Sequence, residues 1–221
     1  LELENKRMER ELDLARDIQM SLVPSQALSL GPWEILGRVV PARQVGGDYY
    51  DYFPLDETRA ALTIADVSGK GVPASLLMAS VQASLRAFCD GRQPIPEAIQ
   101  RVNQSVCRSA SGGKFITLFY AELDAANGVL RYTNAGHNYP MLRRADGTVE
   151  ELTTGGLLLG LFDTATYEQG EVPFGPGDAL LLYSDGLSEA ADTRGEQFGE
   201  DRLRTAFDSS QALPPADVIP Q

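Results

Sequence analysis

Apolar and polar residues at the start of the chain follow a helical pattern. Residues 2–22 are rich in charge and contain neither glycine nor proline, and the pattern ends at Pro24. Apolar residues recur at every seventh position, namely Leu1, Met8, Ala15 and Leu22. One narrow apolar stripe of this kind is typical of a coiled-coil dimer. It is equally compatible with an amphipathic helix that lies on its own domain, and so short a pattern does not separate the two.

Farther along, the pattern changes from strands to helices and back to strands. Runs rich in β-branched and aromatic residues predict strands at 33–42, 48–53, 60–65, 115–123, 129–132, 141–144, 149–152 and 179–183. Apolar residues at helical spacing predict helices at 73–90, 96–106 and 201–207, with the first turn of another at 214–219. Glycine-containing turns separate the later strands, as in β-hairpins.

The order of these elements limits the fold class. The predicted strands occur in hairpins, and the two central helices follow one another directly. A doubly wound parallel sheet requires strands and helices to alternate, so we exclude that architecture. We expect an α+β fold in which antiparallel sheets are flanked by helices.

Composition narrows the class of protein further. Of the 221 residues, 43% are hydrophobic and 23% are charged, as in ordinary globular domains. The 31 acidic and 19 basic residues give a net charge of −12, which argues against a nucleic-acid partner, because such proteins need a clustered basic surface. No apolar run approaches the ~18 residues of a membrane-spanning helix, and no signal peptide is visible. We therefore expect no membrane contact and a cytoplasmic location, with Cys89 and Cys107 as reduced thiols.

Three aspartates share a local context that favours metal binding. Asp48 follows two glycines, Asp66 follows the strand-like run 62–65, and Asp185 follows an apolar run and precedes Gly186. A carboxylate at the end of a buried strand is held rigidly, and adjacent glycines allow a ligand to approach the backbone. Gathered carboxylates repel one another unless a cation lies between them, and such oxygen ligands suit Mg²⁺ or Mn²⁺. A single Asp beside Gly is usually a turn residue, so spacing alone supports a metal site and three separate turns about equally.

Other candidate groups indicate less. The run 68–71 lacks the spacing of a phosphate-binding P-loop. His137 is the only histidine, which excludes a zinc site built on histidines, and its Gly/Asn surroundings favour a hydrogen-bonding role in a turn. Ser184 and Ser188 have no base beside them in the sequence, so we reject a Ser-His-Asp hydrolase.

Four motifs, at 45–51, 65–71, 134–138 and 183–187, resemble a known family when taken together and in order. They read Val-Gly-Gly-Asp-Tyr-Tyr-Asp, Ala-Asp-Val-Ser-Gly-Lys-Gly, Asn-Ala-Gly-His-Asn and Tyr-Ser-Asp-Gly-Leu. The chain, from about residue 15 to its end, is similar to the SpoIIE/RsbU-type phosphatases, which are bacterial members of the PPM group related to protein phosphatase 2C. The resemblance implies a sandwich of two antiparallel β-sheets flanked by helices. It also divides the chain into an N-terminal linker helix, residues 1–24, and a phosphatase domain, residues 25–221.

The resemblance also implies roles for the aspartates in a site for two Mn²⁺ or Mg²⁺ ions. By position, Asp66 is the carboxylate that bridges both metals. Asp48 and the backbone carbonyl of Val67 belong to one metal, and Asp185 belongs to the second. Asp51 matches the second acid of its motif, with a role that is either functional or structural.

The implied activity is that of a metal-dependent protein serine/threonine phosphatase that uses an activated water and forms no covalent intermediate. The implied substrate is a phosphorylated anti-sigma-factor antagonist of the STAS type, within a bacterial partner-switching pathway. The helix at 1–24 would connect an upstream sensory or receiver domain and would form a homodimer. The alternatives are a catalytically weak or inactive module that binds a phosphoprotein and, more remotely, a phosphohydrolase acting on small molecules.

Two departures from the family pattern affect these expectations. The family ends with a strand that carries an Asp-Asp-x-Thr motif and the last ligand of the second metal, and nothing here matches it. We therefore expect a fragment of a longer protein whose second metal binds weakly if that strand is missing. Gln44 stands where the family often has Glu, and its neighbour Arg43 is a candidate phosphate contact.

Overall fold

The computed structural model describes residues 2–41, 44–110, 113–211 and 213–219. The helices are α1 (Glu2–Met20), α2 (Val72–Phe88), α3 (Ile95–Ser109), α4 (Asp185–Ser188), α5 (Glu200–Ser209) and α6 (Pro215–Val218). The strands are β1 (Leu28–Leu30), β2 (Trp33–Ile35), β3 (Tyr49–Pro54), β4 (Arg59–Val67), β5 (Ile116–Asp124), β6 (Val129–Ala135), β7 (Met141–Arg143), β8 (Val149–Glu151), β9 (Gly155–Gly156), β10 (Gly170–Pro173) and β11 (Ala179–Leu181). Within this part of the chain, no helix has the length and apolar character needed to cross a membrane.

A six-stranded sheet forms the centre of the fold. Its strands run in the order β10-β6-β5-β4-β3, all antiparallel, and β9 pairs with β6 in parallel. A second, three-stranded sheet has the order β11-β7-β8, and β1 and β2 form a separate hairpin. The chain therefore folds into two main sheets, as expected for the α+β class, with one parallel pair that the sequence did not indicate.

Alternation along β4 gives the central sheet two different apolar faces. Ala61, Ala65 and Val67 lie in the core cluster that includes the buried residues of α2 and α3. Ala60 and Leu62 point the other way, into a cluster shared with the second sheet and the β1–β2 hairpin. Successive side chains on a strand point to opposite faces, so a single strand supplies both layers.

A third apolar cluster covers the outer face of the second sheet. Leu203 and Phe207 of α5 pack against Met141 and Tyr183. The molecule thus has four layers, in the order helices, sheet, sheet and helix. The expected sandwich of two sheets flanked by helices is confirmed.

Helix α1 leaves the domain over most of its length. Leu3 and Met8 are 85% and 59% exposed, and Ile18 is also exposed. Leu12 and Ala15 are half-buried, and at the last turn Gln19 is buried and Met20 packs on the core. The prediction of a helix is therefore confirmed, whereas the coiled-coil dimer and the helix that lies on its own domain both stay predictions.

Several predicted strand boundaries are wrong. The strand predicted at 33–42 ends at Ile35, and Ala42 lies outside the described residues. A Cβ atom on Gly37 would lie 2.3 Å from the ring of Tyr50, whose hydroxyl donates to the Gly37 carbonyl, so this segment packs against a side chain instead of pairing with a strand. The last predicted strand, 179–183, ends two residues early, at Leu181.

Other strands were not predicted at all. β1, β9 and β10 are four residues or shorter, so they give little periodic signal. The parallel pairing of β9 depends on close backbone contact, because a Cβ atom on Gly155 would lie 1.8 Å from the carbonyl oxygen of Asn134. Only glycine permits that approach.

Asp51 joins β3 to α2 and has a structural role. Its side chain is 1% exposed, and Arg86 of α2 donates two hydrogen bonds of 2.7 Å to its two carboxylate oxygens. The hydroxyl of Tyr49 donates a further bond of 2.7 Å. The guanidinium group of Arg86 also lies 4.1 Å from the ring centroid of Phe53. Bidentate pairs of this kind fix geometry as well as charge.

We predict that Asp51→Ala lowers the free energy of unfolding by about 2–4 kcal/mol, because it leaves a buried hydroxyl and one half of an ion pair without their partner. Glu171→Ala is the matched control, since its ion pair with Arg131, also on the central sheet, is largely exposed and is expected to contribute at most ~1 kcal/mol. Urea unfolding of both variants measures the difference. Equal, small losses in the two variants would contradict the structural role of Asp51.

Candidate metal centre

The β3–β4 hairpin brings two of the three aspartates together. Tyr49 pairs with Ala65 in antiparallel register; Asp48 directly precedes Tyr49, and Asp66 directly follows Ala65. Because antiparallel strands run in opposite directions, Asp48 and Asp66 lie opposite each other at the same end of the hairpin. The sequence placed Asp66 after the end of its strand, but β4 continues through Val67, so Asp66 is held within the sheet.

The third aspartate follows a strand of the second sheet. Asp185 is the first residue of α4, a few residues after the end of β11. The hydroxyl of its neighbour Ser184 lies close enough to Asp48 to act against the rise in the pKa of that carboxyl. A Cβ atom added to Gly186 would lie 3.8 Å from Asp48 Oδ2. The start of α4 is therefore packed against Asp48, and the three aspartates approach one another at one end of the sandwich.

The negative charges of these aspartates repel one another. Burial, together with the charges of Asp48 and Asp185, raises the pKa of Asp66 to about 6, although the backbone N–H of Val67 acts in the other direction. Burial and the charge of Asp185 raise the pKa of Asp48, against the Ser184 hydrogen bond. Both carboxylates thus lie where their charged forms are disfavoured. A divalent cation among them would remove that cost.

Gly47 allows the loop before β3 to approach the donors on β4. A Cβ atom at this position would lie 2.6 Å from the carbonyl oxygen of Val67 and 3.2 Å from Asp66 Oδ1. Any side chain would therefore displace two oxygens that face the same small space. An absent side chain beside inward-facing oxygens is a feature of a ligand cradle.

The donor set favours an ion that retains water. Among the described residues, no three side chains of His, Cys, Asp or Glu are placed to hold one metal together. Mg²⁺ is commonly bound by one or two carboxylates while keeping several waters, and it accepts backbone carbonyls. Asp48, Asp66 and the Val67 carbonyl fit that pattern. They do not form a closed cage of three or more metal-binding side chains.

His137 connects β5 of the central sheet to the segment that follows β11 of the second sheet. Its Nε2 lies 3.1 Å from the carbonyl oxygen of Tyr183, which can only accept, so Nε2 carries the proton. Nδ1 then accepts from the hydroxyl of Thr117 at 2.9 Å, and Thr117 is the strand partner of Asp66. Burial lowers the pKa of His137 to about 4, which keeps the ring neutral. Both ring nitrogens are thus engaged, and neither activates Ser184 as a nucleophile.

The predicted turn role of His137 is confirmed by its backbone. Its N–H donates to Asn134 Oδ1 at 2.8 Å, and Asn134 Nδ2 donates to its carbonyl at 3.1 Å. The sequence did not indicate the roles of Thr117 or Ser184, because each contact joins residues far apart in the chain. Arg43, the candidate phosphate contact, lies outside the described residues, and its neighbour Gln44 is exposed.

The four-layered fold and the carboxylate cluster between its sheets define a PP2C-type phosphatase fold. The SiaA-PP2C domain of Pseudomonas aeruginosa superimposes with a TM-score of 0.80 at 22% identity, over 99% of this chain and 88% of that domain. The sequence model of the family described as stage II sporulation protein E (SpoIIE) matches residues 56–221. The chain therefore belongs to the SpoIIE family.

Two curated relatives have similar sequences over most of this chain. Protein IcfG of Synechocystis sp. is 30% identical in an alignment that covers 87% of this chain and 35% of IcfG. Phosphoserine phosphatase RsbU of Bacillus subtilis is 30% identical over 186 residues, which cover 84% of this chain and 55% of RsbU. The chain thus spans about a third to a half of the length of these relatives.

We predict that Gly47→Ala weakens Mn²⁺ binding about tenfold or more, the range seen when groups around a metal site are disturbed. The added methyl group would push against the Val67 carbonyl and Asp66. Gly46→Ala is a matched control, because the nearest atom to its Cβ is 4.0 Å away and neither glycine has a positive φ. Isothermal titration calorimetry with MnCl₂ compares the two. Equal affinities would show that the space beside Gly47 is not part of the metal centre.

Proposed function

We propose that this chain is a metal-dependent protein serine/threonine phosphatase domain. One observation carries the proposal. Asp48, Asp66 and Asp185 belong to separate parts of the chain but lie close together, where their negative charges repel one another. Carboxylates with perturbed pKa values in such a cluster are typical of functional sites. The name of RsbU, a phosphoserine phosphatase, supports the same reaction class.

We propose that the site holds two Mn²⁺ or Mg²⁺ ions. Asp66 would bridge both ions, Asp48 and the Val67 carbonyl would bind the first, and Asp185 would bind the second. The support is the chemistry of the donors, which are all oxygens, and the cradle that Gly47 leaves beside Val67 and Asp66. When bound, such ions lower the pKa of water and neutralise charge on a phosphoryl group.

Residues of the protein itself hold the aspartates in position. The β3–β4 pairing holds Asp48 opposite Asp66, and neutral His137 links the strand partner of Asp66 to the segment before Asp185. The hydroxyl of Ser184 lies beside Asp48. Both ring nitrogens of His137 are engaged, so His137 does not act as the base of a serine hydrolase. This favours direct attack of water, without a phosphorylated enzyme.

The substrate we propose is a phosphorylated anti-sigma-factor antagonist of the STAS type. RsbU, RsbP and the RsbU and RsbW domains of a Mycobacterium tuberculosis protein carry names from partner-switching systems, which supports such a partner. We further propose that the linker at residues 1–24, which contains α1, connects an upstream sensory or receiver domain and forms a homodimer. The exposed Met8, which lies on the heptad stripe of that helix, supports the dimer. Two free thiols, at Cys89 and Cys107, are in line with a cytoplasmic location.

The test is hydrolysis of p-nitrophenyl phosphate with and without Mn²⁺. We predict turnover that requires Mn²⁺ and that falls roughly 100-fold or more in Asp66→Asn and in Asp185→Asn, since even groups that only support metal ligands account for 10–100-fold. Asp163→Asn, at an exposed position, is the matched control and keeps wild-type turnover. Circular dichroism confirms that each variant is folded.

Two outcomes would contradict the proposal. Retained turnover in both site variants would remove the aspartates from the reaction. Absence of turnover in the wild type, together with absence of Mn²⁺ binding, would favour a phosphoprotein-binding module without catalytic activity.

A further inference from the structure

The last turn of α1 is joined directly to the loop that carries Asp48. Gln19 is 8% exposed, and its Nε2 donates a hydrogen bond of 2.7 Å to the carbonyl oxygen of Gly46. The N–H of Gly46 in turn donates to Gln19 Oε1 at 3.1 Å. One side-chain amide therefore pairs with both polar backbone groups of one residue, as a neighbouring β-strand would. Buried polar groups paired in this way are costly to separate.

The same side chain also contacts the helical layer. Gln19 Nε2 lies 3.2 Å from the sulfur of Met78, a fully buried residue of α2. Gln19 thus connects three parts of the molecule: α1, α2 and the loop before β3. Its amide cannot shift without breaking a contact with at least one of them, so its position is well determined.

The backbone that Gln19 holds leads straight to the candidate metal centre. Gly46 is followed by Gly47, where an added Cβ atom would lie 2.6 Å from the Val67 carbonyl oxygen, and then by Asp48. Two consecutive glycines have a wide conformational range and no side chains to pack. The segment needs an external contact to keep one conformation, and the pair of hydrogen bonds from Gln19 supplies it.

We infer that Gln19 is a positioning residue for the metal centre: it fixes the Gly46–Gly47 segment so that Asp48 and the Val67 carbonyl face the same ion. This inference rests on the proposed function in that it takes the aspartates as the metal site.

The test compares Gln19→Met, which keeps the length of the side chain but loses both hydrogen bonds, with Arg16→Met, an exposed position one turn earlier on α1. Gln19→Glu is a second variant, because it keeps an acceptor for the Gly46 N–H and loses only the donor. Three quantities are measured on each: the Mn²⁺ dissociation constant by calorimetry, the hydrogen-exchange rate of the Gly46 amide, and the dependence of p-nitrophenyl phosphate turnover on Mn²⁺ concentration.

We expect Gln19→Met to raise the Mn²⁺ dissociation constant about tenfold or more and to speed exchange at Gly46. Turnover at saturating Mn²⁺ should stay within about twofold of wild type, because a positioning defect is overcome once the metal is bound. Gln19→Glu should show the same changes, because it sets an acceptor against the Gly46 carbonyl oxygen in place of the donor, and Arg16→Met should match the wild type. If Gln19→Met does not fold, Gln19→Glu alone decides.

Unchanged Mn²⁺ affinity and unchanged Gly46 exchange in a folded Gln19 variant would overturn the inference while leaving the phosphatase proposal intact. A loss of stability with unchanged Mn²⁺ affinity would also overturn it, since Gln19 would then be only a structural anchor. If the wild type binds Mn²⁺ without turnover, the proposed function fails, and the affinity and exchange measurements still decide the role of Gln19.

Discussion

The register between β3 and β4 is the constraint on which the rest of the site depends. With Tyr49 opposite Ala65, Asp48 and Asp66 are forced to face each other at the end of the hairpin. Side chains alternate between faces, so a slip of one residue would turn Asp66 from the second sheet toward the helices. The buried Ala61, Ala65 and Val67 on the helical face prevent that slip, since it would expose them and bury a carboxylate instead. The apolar core therefore fixes the positions of the acids.

Packing of the two sheets completes the arrangement. The side chains between the sheets, among them Leu62 on β4 and Leu142 on β7, bring the end of the second sheet over the end of the first. His137 and Ser184 then join the two at the level of the aspartates. The strand pairing and these contacts hold a cluster of like charges together. The clustering has an electrostatic cost, which a bound cation would remove. Carboxylates with pKa values raised in this way are typical of functional sites.

The sequence predicted those features that depend on neighbouring residues. Long strands such as β4 and β5 and the helices α2 and α3 have clear periodicity, and the glycines beside Asp48 and Asp185 marked both acids as candidates. The features that it missed depend on residues distant in the chain. Gly155 pairs with β6 because its backbone lies against Asn134, and Gln19 bonds to Gly46 across the fold. Nothing in the local pattern around Gln19 distinguishes a buried amide from an exposed one on a charged helix.

We propose that the aspartates hold a divalent ion at the junction of the two sheets. Anomalous diffraction from a crystal of this protein grown with Mn²⁺ tests this most directly. We predict a peak about 2.1 Å from carboxylate oxygens of Asp66 and Asp48 and from the Val67 carbonyl, with waters completing the coordination. A well-ordered site without such a peak, or Mn²⁺ bound only at other surface acids, would contradict it.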